Sequence, residues 1–138
     1  MNSRLYNVLM NIAEVSKLYD ISQDTLRSYE QIGMIPPVTR TEGGKRDYQE
    51  EDLRWVELVK CMRRVGLPVK SIVEYVTLYM EGDQTIPDRL ELLQEQRLEL
   101  EEQKARIDQM IQRLSWKIER YKEAQITGVL NWEKKEDL

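Results

Sequence analysis

The 138 residues contain no histidine and a single cysteine, Cys61, and these absences remove several kinds of protein. Without histidine the commonest general base is missing, and no nucleophile–base pair, phosphate loop or metal cluster replaces it, so an enzyme is the weakest function class. One thiol allows no intrachain disulfide, which suits a reducing cytoplasm. Neither a soft-metal cage nor any cofactor is expected. Only 6 glycines and 4 prolines interrupt the chain. No apolar run approaches the roughly 18 residues of a membrane span, so no membrane partner is expected. Residues 1–9 are too little for a signal peptide. A basic excess is missing as well: the formal net charge is −4, with eleven basic and eleven acidic residues in 1–80, and ten basic against fourteen acidic in 81–138. Affinity for a polyanion must therefore come from basic groups gathered on one face.

Charged residues make up 33% of the chain, and Leu, Glu, Lys, Arg and Gln crowd its second half, as in long solvated helices. Ile12, Val15 and Leu18 lie at helical spacing and predict a short first helix through about Tyr19. Ser22 is a good N-cap for a second helix from about Gln23 to Ile32, Gly33 suits its left-handed exit, and Pro36-Pro37 prevents continuation. Thr39-Arg40-Thr41 and Arg46-Asp47-Tyr48-Gln49 flank Gly43-Gly44, which is a hairpin signal. Glu50, Glu51 and Asp52 open a third helix that carries Leu53, Val56, Leu58, Val59, Cys61, Met62 and Val65 up to Gly66. Pro68 starts a fourth, with Val69, Ile72, Val73, Val76 and Tyr79 on its apolar face, and Gly82-Asp83 ends it.

From Pro87 to Gly128 there is neither Gly nor Pro. With Leu90 as heptad position a, the a set is Leu90, Arg97, Lys104, Ile111 and Ile118, and the d set is Leu93, Leu100, Ile107, Leu114 and Tyr121. Eight of the ten are apolar, a coiled-coil pattern whose narrow stripe needs a partner. A homodimer is the simplest one. A lone helix lying on the head is the alternative, but at about 1.5 Å per residue it would outreach so small a head. After Thr127, a short tail either docks through Trp132 or frays.

Several motifs occur together in this order: Ile12-Ala13-Glu14-Val15, Thr25-Leu26-Arg27-Ser28-Tyr29-Glu30, Gly33-Met34-Ile35-Pro36-Pro37, Arg40, Gly44-Lys45-Arg46-Asp47-Tyr48, and Arg63-Arg64-Val65-Gly66-Leu67. Over about residues 10–80 the chain resembles the MerR family of bacterial transcription regulators. The resemblance implies an all-α protein with a small β-wing: a winged helix-turn-helix head and a long C-terminal dimerisation helix in an antiparallel coiled coil. The implied parts are an N-terminal extension (1–9), the DNA-binding head (10–81), the dimerisation helix (86–123) and a tail (124–138). It also implies a cytoplasmic homodimer that bends and untwists a promoter spacer and so acts on RNA polymerase indirectly, through the double-stranded promoter DNA. Met10 would then be the initiator.

Roles follow by position. Arg27 is expected to contact the groove or a phosphate, and Gln23 and Asp24 lie where base-reading residues of such helices sit. Tyr29 either offers its hydroxyl to a phosphate or packs in the core. Arg40, Lys45 and Arg46 form the wing, where cations on phosphate fix register rather than sequence. Tyr48 packs at the wing base. Ser28 and Lys45 depart from the family's usual aromatic or apolar residues. Leu90, Leu93, Leu100, Ile107, Ile111, Leu114, Ile118 and Tyr121 are the dimerisation set.

Cys61 has two readings. A lone cysteine on an apolar helical stripe is an inert core residue, whereas Lys60, Arg63 and Arg64 within one turn favour a thiolate. Its position resembles the branch of the family that responds to aldehydes, other electrophiles and nitrosative stress, which implies a thiol-based stress sensor. A coiled-coil interaction protein whose head binds protein instead of DNA is the second function class, and the cations at 27, 40, 45 and 46 weigh against it.

Overall fold

The structure, a computed structural model, describes residues 10–132; the expected N-terminal extension and the last six residues of the tail lie outside the described residues. Five α-helices follow in order: α1 (Ile12–Tyr19), α2 (Gln23–Ile32), α3 (Glu50–Arg64), α4 (Val69–Glu81) and α5 (Ile86–Thr127), with a 3-10 turn (Asp83–Thr85) before the last. The chain divides into two compact units, residues 1–93 and 94–138.

In the first unit the starts of α1 to α4 are each fixed by a local side chain or by chain stiffness. Asn11 accepts from the Glu14 amide at 2.9 Å while Glu14 accepts from the Asn11 amide at 3.3 Å, so two of the four unpaired amides of α1 are satisfied. Ser22 caps α2 by accepting from the Thr25 amide at 3.1 Å. Asp52 accepts from the Gln49 amide at 2.9 Å and closes the start of α3, and Pro68 precedes α4. Gly33 leaves α2 with φ +91°, a conformation in which a Cβ would be strained. Its amide returns to the Glu30 carbonyl at 3.2 Å.

Val15 and Tyr19 of α1, Leu26 and Tyr29 of α2, Leu53, Val56 and Val59 of α3, and Ile72 and Val76 of α4 close the core together with Met34, Ile35, Val38 and Tyr48. The apolar residues expected on α3 divide between two faces. Leu53, Val56 and Val59 are buried, while Leu58, Cys61 and Val65 are exposed. At about 100° per residue, Cys61 lies some 200° around the helix from Val59, on the opposite side. A trio of aromatics joins α3 to α4, with Trp55 edge-on to Tyr79 at 5.0 Å and beside Tyr75 at 6.0 Å. Arg89, at the start of α5, lies over the Tyr79 ring and donates to Thr85 Oγ1 at 3.0 Å.

The hairpin around Gly43-Gly44 forms, but not as a sheet. Thr41 donates to the Lys45 carbonyl at 2.8 Å and Asp47 to the Thr39 carbonyl at 2.7 Å. The arms carry only the isolated bridge Arg40–Arg46, and a second isolated bridge links Met10 to Tyr48. Among the described residues no strand is formed, which corrects the expected β-wing to an irregular hairpin. Its arms are too short and too exposed for a ladder, since isolated two-stranded pairs are marginal. Side chains from the helices hold it instead.

In the second unit, α5 continues to Thr127, four residues beyond the expected limit of the coiled coil. Gly128, at φ +79°, turns the chain, and Trp132 comes back onto the helix, 5.7 Å from Trp116 and 5.8 Å from Tyr121 by ring centroids. Lys117 lies over the Trp132 ring, so of the two expectations for the tail the docked one holds. The stripe is open in the single chain: Leu90, Leu93, Ile107, Ile111, Leu114, Ile118 and Tyr121 are all 41–56% exposed, and Leu100 is half-buried.

Candidate nucleic-acid interface

Two basic groups project from the head. The first lies on the opening turns of α2, where Gln23, Asp24 and Arg27 are accessible to solvent while Leu26 and Tyr29 point inward. This is the division a groove-reading helix requires. Arg27 donates to Asp24 at 3.0 Å and to Gln23 at 3.3 Å, so the three expected contact residues form one exposed cluster. An ion pair so exposed is worth little, and a phosphate can replace the carboxylate at small cost.

Tyr29 is 7% exposed. Burial raises its hydroxyl pKa above the ordinary 10.0, and the nearby Arg63 opposes that rise in part. The ring therefore packs, as one of its two readings expected. Tyr48 is fully buried beside the hairpin, and burial pushes its hydroxyl up likewise.

The second basic group is the hairpin. Lys45 stands in solvent near its tip. Arg40 and Arg46 both turn toward Glu30 at the end of α2: Arg46 Nε donates to Glu30 Oε1 at 2.7 Å and Arg40 Nη2 to the same oxygen at 3.1 Å. The other carboxylate oxygen accepts from the Val38 amide at 2.6 Å. Burial alone would raise the Glu30 carboxyl, but the Val38 hydrogen bond and the Arg46 and Arg40 guanidiniums outweigh it and hold the pKa below the ordinary 4.5. Asp52 makes a second tie, accepting from the Thr39 amide at 3.4 Å as well as from Gln49. The hairpin is thus fastened to α2 by Glu30 and to α3 by Asp52.

Sequence reasoning found the cations and missed these two carboxylates. Glu30 was visible as part of a motif, yet nothing local marks its partners, which lie ten and sixteen residues ahead. Around Cys61, Lys60 donates to the Tyr19 carbonyl and Arg63 to the Leu67 carbonyl at 2.8 Å. The thiol is exposed, which removes the core-residue reading of this position.

A helix-turn-helix with an exposed, Arg-bearing second helix, a basic hairpin fastened beside it and a long trailing helix are the parts of a DNA-binding regulator. The MerR HTH family regulatory protein pattern matches residues 10–78, and the MerR DNA-binding pattern matches residues 53–116. The chain belongs to the MerR family. It is 48% identical over 91 residues to the HTH-type transcriptional regulator AdhR of Bacillus subtilis (strain 168), a match that covers 66% of this chain and 65% of AdhR. It is similar to the crystal structure of a MerR family transcriptional regulator from Listeria monocytogenes, with 40% identity and a TM-score of 0.82 over 86% of this chain and 90% of that one. It is also similar to HiNmlR, a MerR family regulator lacking the sensor domain and bound to promoter DNA, with 30% identity and a TM-score of 0.79 over 89% of this chain and 98% of that one. The protein is a DNA-binding transcriptional regulator of this family and not an enzyme.

Proposed function

We propose that the protein acts as a homodimer, joined by an antiparallel coiled coil of α5, that grips two half-sites of a promoter and bends and untwists the spacer between them. The observation that carries this reading is the open stripe on α5 together with its charge pattern. From residue 88 to 105 there are six carboxylates and three cations; from 106 to 123 there are five cations and three carboxylates. Antiparallel pairing sets each half against its opposite, whereas parallel pairing sets like against like. Reversing the helix about its midpoint between 105 and 106 also brings every a position onto a d position. Leu90 meets the partner's Tyr121, Leu93 the partner's Ile118, and Leu100 the partner's Ile111.

In this reading Gln23, Asp24 and Arg27 face the major groove, and Lys45 and Arg40 lean on the backbone. Tyr29 and Arg46 hold the frame, with at most an edge available to phosphate. Deforming the spacer costs on the order of 1–6 kcal/mol, so a modest signal can decide which DNA shape is populated. RNA polymerase then responds to the DNA and needs no contact with the regulator.

Cys61 is the sensor in this proposal, and aldehydes or other thiol-reactive compounds are the signal. Its exposure supports access by an electrophile, and the likeness to AdhR supports this branch of the family. A second reading, an inert Cys61, is favoured by Lys60 and Arg63, which spend hydrogen bonds on backbone carbonyls. The deciding experiment is a promoter reporter challenged with formaldehyde and with diamide. Cys61→Ser should abolish the response while gel-shift affinity is retained. An unaltered response removes Cys61 from the mechanism.

A further inference from the structure

The two wing arginines hang from one carboxylate, yet they are held very differently. Arg46 has its Nε 2.7 Å from Glu30 Oε1 and a side chain only 17% exposed. Arg40 is 43% exposed and makes longer bonds, 3.1 Å to Glu30 and 3.4 Å to the Gly44 carbonyl. A short charge-assisted bond shielded from water resists exchange, while a long one in contact with water does not. Glu30, itself 10% exposed, has its second oxygen fixed by the Val38 amide, so it cannot follow an arginine outward.

We propose that Glu30 is a positioning residue for DNA binding: it keeps Arg46 as a fixed pivot of the wing and holds Arg40 as an exchangeable cation that leaves the carboxylate for a DNA phosphate. In the free protein the pair hides the Arg40 charge and keeps the wing from gripping arbitrary DNA. On the operator, α2 is seated in the groove and a phosphate outcompetes Glu30 for Arg40. The net gain from that exchange is smaller than from a free arginine, because the stranded carboxylate takes up a cation as the DNA releases one. Wing contact therefore depends on docking of α2, which raises discrimination between operator and bulk DNA. This rests on the wing reading given under the proposed function.

The test is a salt series of DNA affinity on a duplex covering the region upstream of the protein's own gene. Arg40→Ala, at an exposed position, should make the slope of log K against log[salt] shallower by about one unit per protomer when Glu30→Gln is already present, and by less in the wild-type background, where Glu30 takes a cation back. Glu30→Gln keeps an acceptor for the Val38 amide and should make the slope steeper by up to about one unit per protomer, but only while Arg40 is present. No difference in slope between Glu30→Gln and Glu30→Gln combined with Arg40→Ala overturns the wing contact and the exchange with it. A shallower slope in Arg40→Ala with no change in Glu30→Gln leaves the wing contact standing and overturns the exchange alone. If Glu30→Gln does not fold, the wild-type protein decides by NMR of its arginine side chains. The Arg46 Nε–H signal should persist unshifted when DNA is added while that of Arg40 moves, and loss of the Arg46 signal refutes the pivot.

Discussion

The head and the long helix are built from the same kinds of apolar residue and use them in opposite ways. In the head, Val15, Leu26, Leu53, Val56 and Ile72 meet one another across four short helices and vanish from the surface. On α5, Leu90, Leu93, Ile107, Ile111, Leu114 and Ile118 run in one line and stay roughly half exposed. A stripe on a single rod has nothing to fold against, whereas stripes on short helices joined by turns can close on each other. The head is stabilised by its own core, and in the proposed dimer the helix is stabilised by a second copy.

The sharpest way to break this comparison is to damage the core of the head. Leu26→Ala removes a fully buried side chain from the inner face of α2, the proposed DNA-reading helix, and should cost about 2–5 kcal/mol, seen as a lower denaturant midpoint. DNA binding should fall with the loss of folded head, while α5 remains helical by circular dichroism under dimer-favouring concentrations. The converse change, Ile107→Glu with Ile111→Glu, places charges in the middle of the stripe. Light scattering should then report a monomer, and operator affinity should drop on the order of a hundredfold as two linked heads become one. The near-ultraviolet signal of the head aromatics Trp55, Tyr75 and Tyr79 should survive. If it collapses with the dimer, the head is not self-sufficient and both parts of the molecule depend on the second copy.

The same contrast explains what could be read from the sequence. The limits of α1 and α2, the exit at Gly33 and the end of α4 at Gly82 are set by residues within a turn of each boundary, so composition and spacing reveal them. The stripe of α5 is a period, which is visible over any length. What stayed hidden depends on residues far apart in the chain. Glu30 reaches Arg46 sixteen residues on, and Asp52 reaches back thirteen to Thr39. A charged residue on a helix reads as solvated unless its distant partners are known. The hairpin shows the same limit from the other side: Gly43-Gly44 marked the turn, but whether its arms pair as strands depended on side chains from α2 and α3. Cys61 was misleading for a simpler reason, since the apolar residues of α3 are dense enough to suggest a broad buried face where the packing uses only the narrow line of Leu53, Val56 and Val59.

The smallest expected effect belongs where the stripe meets the tail. Trp132 lies against Trp116 and Tyr121, and Tyr121 is the last d position of the stripe. The tail thus covers one side of a ring whose other side stays open to the proposed second copy, since Tyr121 remains 56% exposed with Trp132 in place. Trp132→Ala should therefore remove an aromatic contact without opening the seam. A loss of about 0.5–1.5 kcal/mol is appropriate for ring pairs of this kind, and it should lower the melting temperature by several degrees at fixed concentration. The dimer mass and the salt slope of DNA binding should stay as they were, because neither the stripe nor the wing has been touched. A monomer in place of the dimer would mean that the tail is part of the seam itself, and that α5 does not join two copies by its heptads alone.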